Sequence, residues 1–399
     1  MKNKRRRFEY FRLPLYIDKP IYYAIMTLAI FGFIMVVSAS MGLAIGDNAY
    51  LIATGIKLIL FTLVGYIGMV FMSRFFDFKI LSSLMEASMV VTIILLMACL
   101  GFSGAGGAKA WIQIPIAVTE VTFQPSEVAK IVCVLCIANY LGDNKRIYRK
   151  PWNLIRYPAI FVLLCAFIIL VLQSDLGSAA VLMIMSVVSF LILKNPCLKQ
   201  IQKWIVIIGV VGVIFSFFLL YTSVGENFIR LLPLKEYQIN RILSAINPFI
   251  DRYNTGYQLI NGLVAFATGG FFGVGFGNSI RKYTDFPASN TDFILAIVVE
   301  ELGFLGFMII ATCYLVIIIR LFKYAFKMKS EKGRVILVGI ATYLFVHFLF
   351  NVGGVTGFIP LTGVPLLMIS AGGTSTFTTM VAIGIAQAII SQYRQGEIE

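Results

Sequence analysis

Long apolar runs alternate with short polar connections along almost the whole chain. A span across the hydrocarbon needs about 20 apolar residues, and ten runs are candidates. They cover residues 21–40, 50–72, 80–102, 126–141, 157–173, 176–193, 204–223, 291–321, 335–355 and 365–391. The fourth is short and carries Glu127 and Lys130 at its start. The eighth is over-long and interrupted by Glu300 and Glu301. This pattern predicts an all-α polytopic membrane protein with about ten transmembrane helices. A large loop, 224–290, separates helices 7 and 8, while the other connections are much shorter. The chain then divides into a basic tail (1–20), a ten-helix membrane domain (21–391) and a short tail (392–399).

Composition agrees. Of 399 residues, 59% are hydrophobic and 13% charged, with a mean hydropathy of +0.89. A soluble domain carries roughly 45–50% apolar and about 25% charged residues. The net charge of +14 would suit nucleic acid, but the basic residues collect in short loops between apolar runs, as orientation signals do. With both termini in the cytoplasm, 24 of the 33 Lys and Arg fall inside, 7 outside and 2 within spans. Six of the outer seven belong to the long loop, and long loops obey the charge rule weakly. The first run follows Lys2, Lys4, Arg5, Arg6 and Arg7 with no small-residue cleavage site, so it reads as a retained helix. Cys133 and Cys136 form a CxxC on a predicted span without a second pair, which reads as buried, apolar-like cysteine.

Ionisable residues at membrane depth need a partner or a wet cavity, and three clusters stand out. In Phe123-Gln124-Pro125-Ser126-Glu127-Val128-Ala129-Lys130, Pro125 opens a helix and Glu127 and Lys130 share a face. That pair either neutralises itself within the bundle or lines a polar cavity. In Gln173-Ser174-Asp175-Leu176-Gly177-Ser178, Asp175 is placed to cap the sixth helix or to face an outer cavity. The third cluster runs from Gly256 through Gly269, Gly270, Gly273, Gly275 and Gly277 to Arg281, Lys282 and the Asn290-Thr291-Asp292-Phe293 mouth of the eighth span. There Asn290 or Asp292 either caps the helix or supplies a carboxylate at the water boundary, which suits a general base. The single histidine, His347, excludes a multi-histidine metal site and reads as a hydrogen-bonded residue inside the ninth helix.

These segments resemble the SEDS family, the shape, elongation, division and sporulation proteins that include FtsW, RodA and SpoVE. The resemblance spans nearly the whole chain. It rests on Trp111-Ile112, Phe123-Gln124-Pro125-Ser126-Glu127, Gln173 with Asp175-Leu176-Gly177, Tyr237-Gln238 with Arg241, and Gly256-Tyr257-Gln258. It continues through Gly269-Gly270, Thr291-Asp292-Phe293, Glu300-Glu301-Leu302-Gly303 and Ile359-Pro360-Leu361-Thr362-Gly363. Gly275-Phe276-Gly277-Asn278-Ser279 followed by Lys282 looks like the FtsW-like branch. The chain departs from the family pattern at Ala110, at Pro287-Ala288-Ser289-Asn290, and at Ser370-Ala371-Gly372-Gly373-Thr374-Ser375.

The resemblance implies an inverting peptidoglycan glycosyltransferase of the bacterial cytoplasmic membrane. It would polymerise lipid II at the outer face, release undecaprenyl diphosphate, and work at the division septum beside a class B penicillin-binding protein and other division proteins. Asp292 would be the base. Arg241, Lys282 or a divalent cation (Mg or Mn) would steady the leaving group. Glu127 and Lys130 would shape the cavity floor, Trp111 would pack against lipid or sugar, and Gln124, Ser126 and Asp175 complete the candidate set. The alternatives are a lipid II flippase, the elongation (RodA-like) counterpart, and a scaffold that only recruits division proteins.

Overall fold

The computed structural model describes residues 14, 16–45, 47–102, 104, 108–116, 119–142, 151–222, 225, 228–229, 236–249, 251–254, 256–284 and 286–399; the side chains of 115–116, 119–120, 236–238, 240 and 241 fall outside this description. Most of the basic tail expected before residue 21 therefore lies outside the described residues.

The chain is a helical bundle. It begins with α1 (Lys19–Leu43), started by Asp18, whose carboxylate accepts the Ile21 N–H. Next come α2 (Asn48–Phe75) and α3 (Phe78–Ala98). A hairpin of β1 (Ile112–Ile116) and β2 (Thr119–Phe123) leads into α4 (Pro125–Leu141). Helix α5 (Trp152–Phe167) ends in a widened turn over Ile168–Leu172, before α6 (Leu176–Leu191) and α7 (Lys199–Tyr221). The long connection holds α8 (Glu236–Ile246) and α9 (Tyr257–Gly269). The chain closes with α10 (Ile294–Lys327), α11 (Glu331–Val355) and α12 (Gly373–Gln395).

Eight of these helices are long and apolar enough to cross a membrane. The fourth and sixth spans, α4 and α6, have only 17 and 16 residues. At 1.5 Å per residue they reach ~24–26 Å, short of the ~30 Å hydrocarbon core. Both are buried inside the bundle against α11, and α12 packs along α2. In contrast, α7 has no buried residue and stands at the bundle's edge. Asp18 and Gln387 exchange hydrogen bonds, and Arg394 donates to the Tyr16 and Ile17 carbonyls, so the two ends of the bundle meet on one face. Helices α4, α6, α10 and α12 all begin on the opposite face, called here the far face.

Two features differ from the sequence reading. The connection before the fourth span is a two-stranded antiparallel hairpin, in which Ile112 pairs Phe123 and Ile114 pairs Val121. Its alternating side chains follow the period-2 signature of a strand. The 224–290 segment is also no simple external loop, because its last third folds back into the bundle. Gly303 (φ 66°, ψ −165°) breaks the ladder of α10, and the freed groups find partners in the segment after α9. Val274 N and Gly275 N donate to the Glu300 and Glu301 carbonyls, while Phe304 N and Leu305 N donate to the Gly270 and Phe271 carbonyls. Irregular backbone is tolerated at membrane depth only when so satisfied. Glu301 lies seven residues into α10, and its partner Ser38 five residues from the end of α1. Both put this contact roughly 8–10 Å below the helix ends.

Candidate functional site

Where the two short helices fall short, a cavity of about 530 Å³ opens on the far face. Its lining includes Trp111 and Gln124 from the hairpin strands' flanks, Asp175 at the start of α6, Gln258 on α9 and Asp292 just before α10. The 360–375 segment closes the other side with Pro360, Thr362, Pro365 and the Gly372–Ser375 start of α12. Four of the candidates read from sequence thus meet in one space: Trp111, Gln124, Asp175 and Asp292.

Each acid is held differently. Asp175 caps α6, its Oδ1 accepting the Ser178 N–H at 2.9 Å, while its Oδ2 accepts Gln124 Nε2 at 3.1 Å. Capping and cavity lining coexist in this residue. The N-cap position of α10 falls on Phe293, whose own side chain makes no capping bond. Asp292 is half-buried, in a turn where Thr291 N and Phe293 N both donate to the Ala288 carbonyl. Buried Phe293 stacks edge-on against Phe286 and pins that turn. Ser174 (φ 59°) and Ala288 (φ 54°), beside the two acids, hold left-handed backbone that non-glycine residues rarely adopt. Such conformations persist only where the surroundings over-determine them, and they cluster at functional sites.

The Glu127–Lys130 pair does not line the cavity; it lies beneath it. Lys130 Nζ is 2.7 Å from Glu127 Oε1, and both side chains are 1% exposed. Tyr343 donates its hydroxyl to Glu127 Oε2 at 2.7 Å. Lys130 also lies 3.2 Å from His347 Nε2. Because an ammonium can only donate, His347 Nε2 must accept, which leaves Nδ1–H to donate to the Pro365 carbonyl at 3.2 Å. The pair thus connects to the cavity wall through histidine, with neither charge exposed. Ser126 is likewise buried, and its hydroxyl has no hydrogen-bond partner among the described residues.

Lys282 is not a free cation facing the cavity. Its ammonium is fully buried, 2.8 Å from Glu301 Oε1 and 3.1 Å from Ser38 Oγ. The adjacent Glu300 accepts from Ser279 Oγ and from the Arg281 N–H. Lys282 is consumed in fastening the folded-back segment to α1 and α10, since a charge buried there must be paired. The side chain of Arg241 lies outside the described residues; its neighbour Ile242 lines the cavity.

Positive potential reaches the cavity by another route. Four helices, α4, α6, α10 and α12, start around it, and each N-terminus carries roughly half a positive charge. The N-cap of α12 is Gly372, which has no side chain to cap the first turn, and Gly372–Ser375 line the cavity, an arrangement suited to an anion. Among the described residues, no group of three His, Cys, Asp or Glu converges to hold a metal. A divalent cation brought by a substrate would find the carboxylates of Asp175 and Asp292 among the described lining residues.

Comparison with known proteins adds the following. A family model described as a cell cycle protein, FtsW/RodA/SpoVE, matches residues 19–395. The chain is 32% identical over 314 residues to a probable peptidoglycan glycosyltransferase FtsW of Enterococcus hirae, covering 77% of this chain and 75% of that one. It is 31% identical over 364 residues to the stage V sporulation protein E of Bacillus subtilis, covering 89% and 91%. Among solved structures, a chain described under structural coordination of polymerization and crosslinking by a peptidoglycan synthase complex superposes with a TM-score of 0.69. That match has 25% identity and covers 96% of this chain and 100% of the other.

Proposed function

Since the chain belongs to the FtsW/RodA/SpoVE family of cell cycle proteins, we propose that it is a peptidoglycan glycosyltransferase of the FtsW type, polymerising lipid II at the outer face of the bacterial cytoplasmic membrane. The far face is then the external one. The observation that carries this reading is the cavity: it gathers two carboxylates, an aromatic side chain and the positive ends of four helices in one space. The acceptor sugar hydroxyl is a weak nucleophile. Asp292 takes its proton as the oxygen bonds to the donor's anomeric carbon, and the bond from that carbon to the diphosphate breaks. Attack and departure on opposite sides invert the carbon, and no covalent enzyme intermediate is needed. The leaving diphosphate gathers negative charge, which the open N-terminus of α12 is placed to stabilise. Asp175 holds Gln124 on the opposite wall, and Trp111 offers an apolar face to sugar or lipid.

The likeness to a chain from a peptidoglycan synthase complex supports a penicillin-binding protein of class B as partner, and the FtsW-named relatives support division at the septum over elongation. The rival reading is a carrier that moves the same lipid across the membrane. Carriers build midplane sites from repeated halves with broken helices. Here the break in α10, the one interrupted spanning helix among the described residues, is sealed by the folded-back segment. The test is purified protein with its partner, given lipid II in detergent and scored for glycan chains. Chains are expected. Transfer of the lipid between vesicle leaflets without chains would overturn the reading.

A further inference from the structure

We propose that Asn351 is a positioning residue that sets where the Asp292 carboxylate stands; this rests on the reading of Asp292 given above. The turn before α10 has three successive carbonyls that accept hydrogen bonds from outside that helix. Each is held by a residue of α11 or of the segment before α12. Ala371 N donates to Asn290 O at 2.9 Å, Ser370 Oγ to Thr291 O at 2.9 Å, and Asn351 Nδ2 to Asp292 O at 2.8 Å. Asn351 is 3% exposed, on the otherwise apolar stretch of α11, and the same amide nitrogen also donates to Val364 O at 3.0 Å. One amide group therefore joins the base-bearing turn to the 360–365 wall of the cavity. A second link runs beside it, the Ser370 hydroxyl accepting from Leu366 N at 2.9 Å while it donates to Thr291 O, but it is the Asn351 amide that reaches the carbonyl of Asp292 itself. The Asn351 Oδ1 is buried without a hydrogen-bond partner among the described residues, so the polar role of this side chain lies in what its nitrogen donates. Ser370 and Ala371 fasten the two residues before Asp292, and the Asn351 bridge fixes the residue that carries the carboxylate.

A displacement of 1 Å at a reacting group can cost ~10²-fold in rate. Asn351→Leu keeps the branched shape and the number of heavy atoms and removes both donated bonds. It is expected to lower kcat for chain synthesis by ~10²-fold while KM for lipid II and co-purification with the partner stay at wild-type values. Asn351→Asp keeps the shape and, while protonated, one donor. It should retain intermediate activity that falls as pH rises, because the ionised form sets a negative charge against two carbonyl oxygens. Wild-type activity should show no such fall over the same range, and melting temperature in detergent, followed in parallel, should not track it. Wild-type kcat in Asn351→Leu would overturn the inference. So would a loss of activity in proportion to lost folded protein, or an Asn351→Asp profile parallel to wild type, which decides the matter even if the leucine variant does not fold. Wild type and Asp292→Asn run beside them: no chains from wild type would strike the proposed function, whereas active wild type, inert Asp292→Asn and unaffected Asn351 variants would strike only the positioning role.

Discussion

Replacing Glu127 by alanine should show how much of the bundle hangs on the charge cluster beneath the cavity. The carboxylate accepts two bonds of 2.7 Å, from Lys130 and from Tyr343, and all these groups are buried. Removing it leaves the Lys130 ammonium with only the His347 ring nitrogen at 3.2 Å and the Tyr343 hydroxyl with Thr379 Oγ1 at 3.5 Å. A hydrogen bond to a charged group is worth ~1.5–3 kcal/mol, and stranding one member of a buried pair typically costs ~3–5 kcal/mol. That loss lowers the folded-to-unfolded ratio by roughly 10²–10³-fold or more. Replacing both residues by methionine removes the charges together and fills the space, which is often neutral for buried pairs. The double variant should therefore be more stable than Glu127→Ala, with a coupling energy of ~2–3 kcal/mol in the cycle Glu127→Met, Lys130→Met and both. Equilibrium unfolding in mixed micelles, followed by circular dichroism, measures it. Additivity within ~0.5 kcal/mol would refute the reasoning, since independent residues cannot form the cluster described.

Three further outcomes are expected. On the terminal face, burial pushes the Asp18 carboxyl up, but hydrogen bonds from Arg320, Tyr324 and the Ile21 N–H hold it below the ordinary carboxylate value overall. A lowered folded-state pKa gives stability that is present above the unfolded value of ~3.9 and lost as pH falls through the folded value. Asp18→Asn should thus cost ~1–3 kcal/mol at neutral pH and blunt the acid loss of stability; an acid limb unchanged from wild type would contradict it. Gly303→Ala should destabilise by ~1–3 kcal/mol or more, because φ 66° with ψ −165° is open essentially to glycine alone and a Cβ there would meet the Phe271 carbonyl; a wild-type melting temperature would contradict it. In a cysteine-free background, an impermeant thiol reagent applied outside should label Tyr253→Cys and spare Lys327→Cys, and the reverse pattern would invert the proposed orientation.

The spans were legible because lipid imposes length and apolarity directly on sequence. The ends and exceptions were less so. The hairpin lies in Ile112–Ile116 and Thr119–Phe123, where the alternation is only five residues long in each strand, a weak signal beside apolar runs of about 20. Lys282 looked like a leaving-group cation because sequence shows a charge near a mouth, not the Glu301 carboxylate that a broken helix brings back to it. The pairing depends on Gly303 and a contact between residues 270–275 and 300–305, which is tertiary information. Asp175 and Asp292 stand out in the sequence because acids at span boundaries are costly and conspicuous, and both line the cavity. Asn351 was missed although it carried a usable signal, an amide buried in an apolar helix, which must bond something. The gathering of four helix N-termini was implicit in the topology, since alternate spans begin on the same face, but their convergence follows from the shortness of α4 and α6.

Central to the account is Asp292 acting as the base in the cavity, and Asp292→Asn tests it most directly. The change keeps size and hydrogen-bonding shape but cannot accept the proton, and Phe293 rather than residue 292 occupies the helix cap. Losing a general base typically costs ~10²–10⁴-fold in rate. Lipid II polymerisation by the purified variant with its partner, measured beside wild type at equal folded protein, is predicted to yield no chains above that residual level while partner binding persists. Chain synthesis near the wild-type rate would contradict the account.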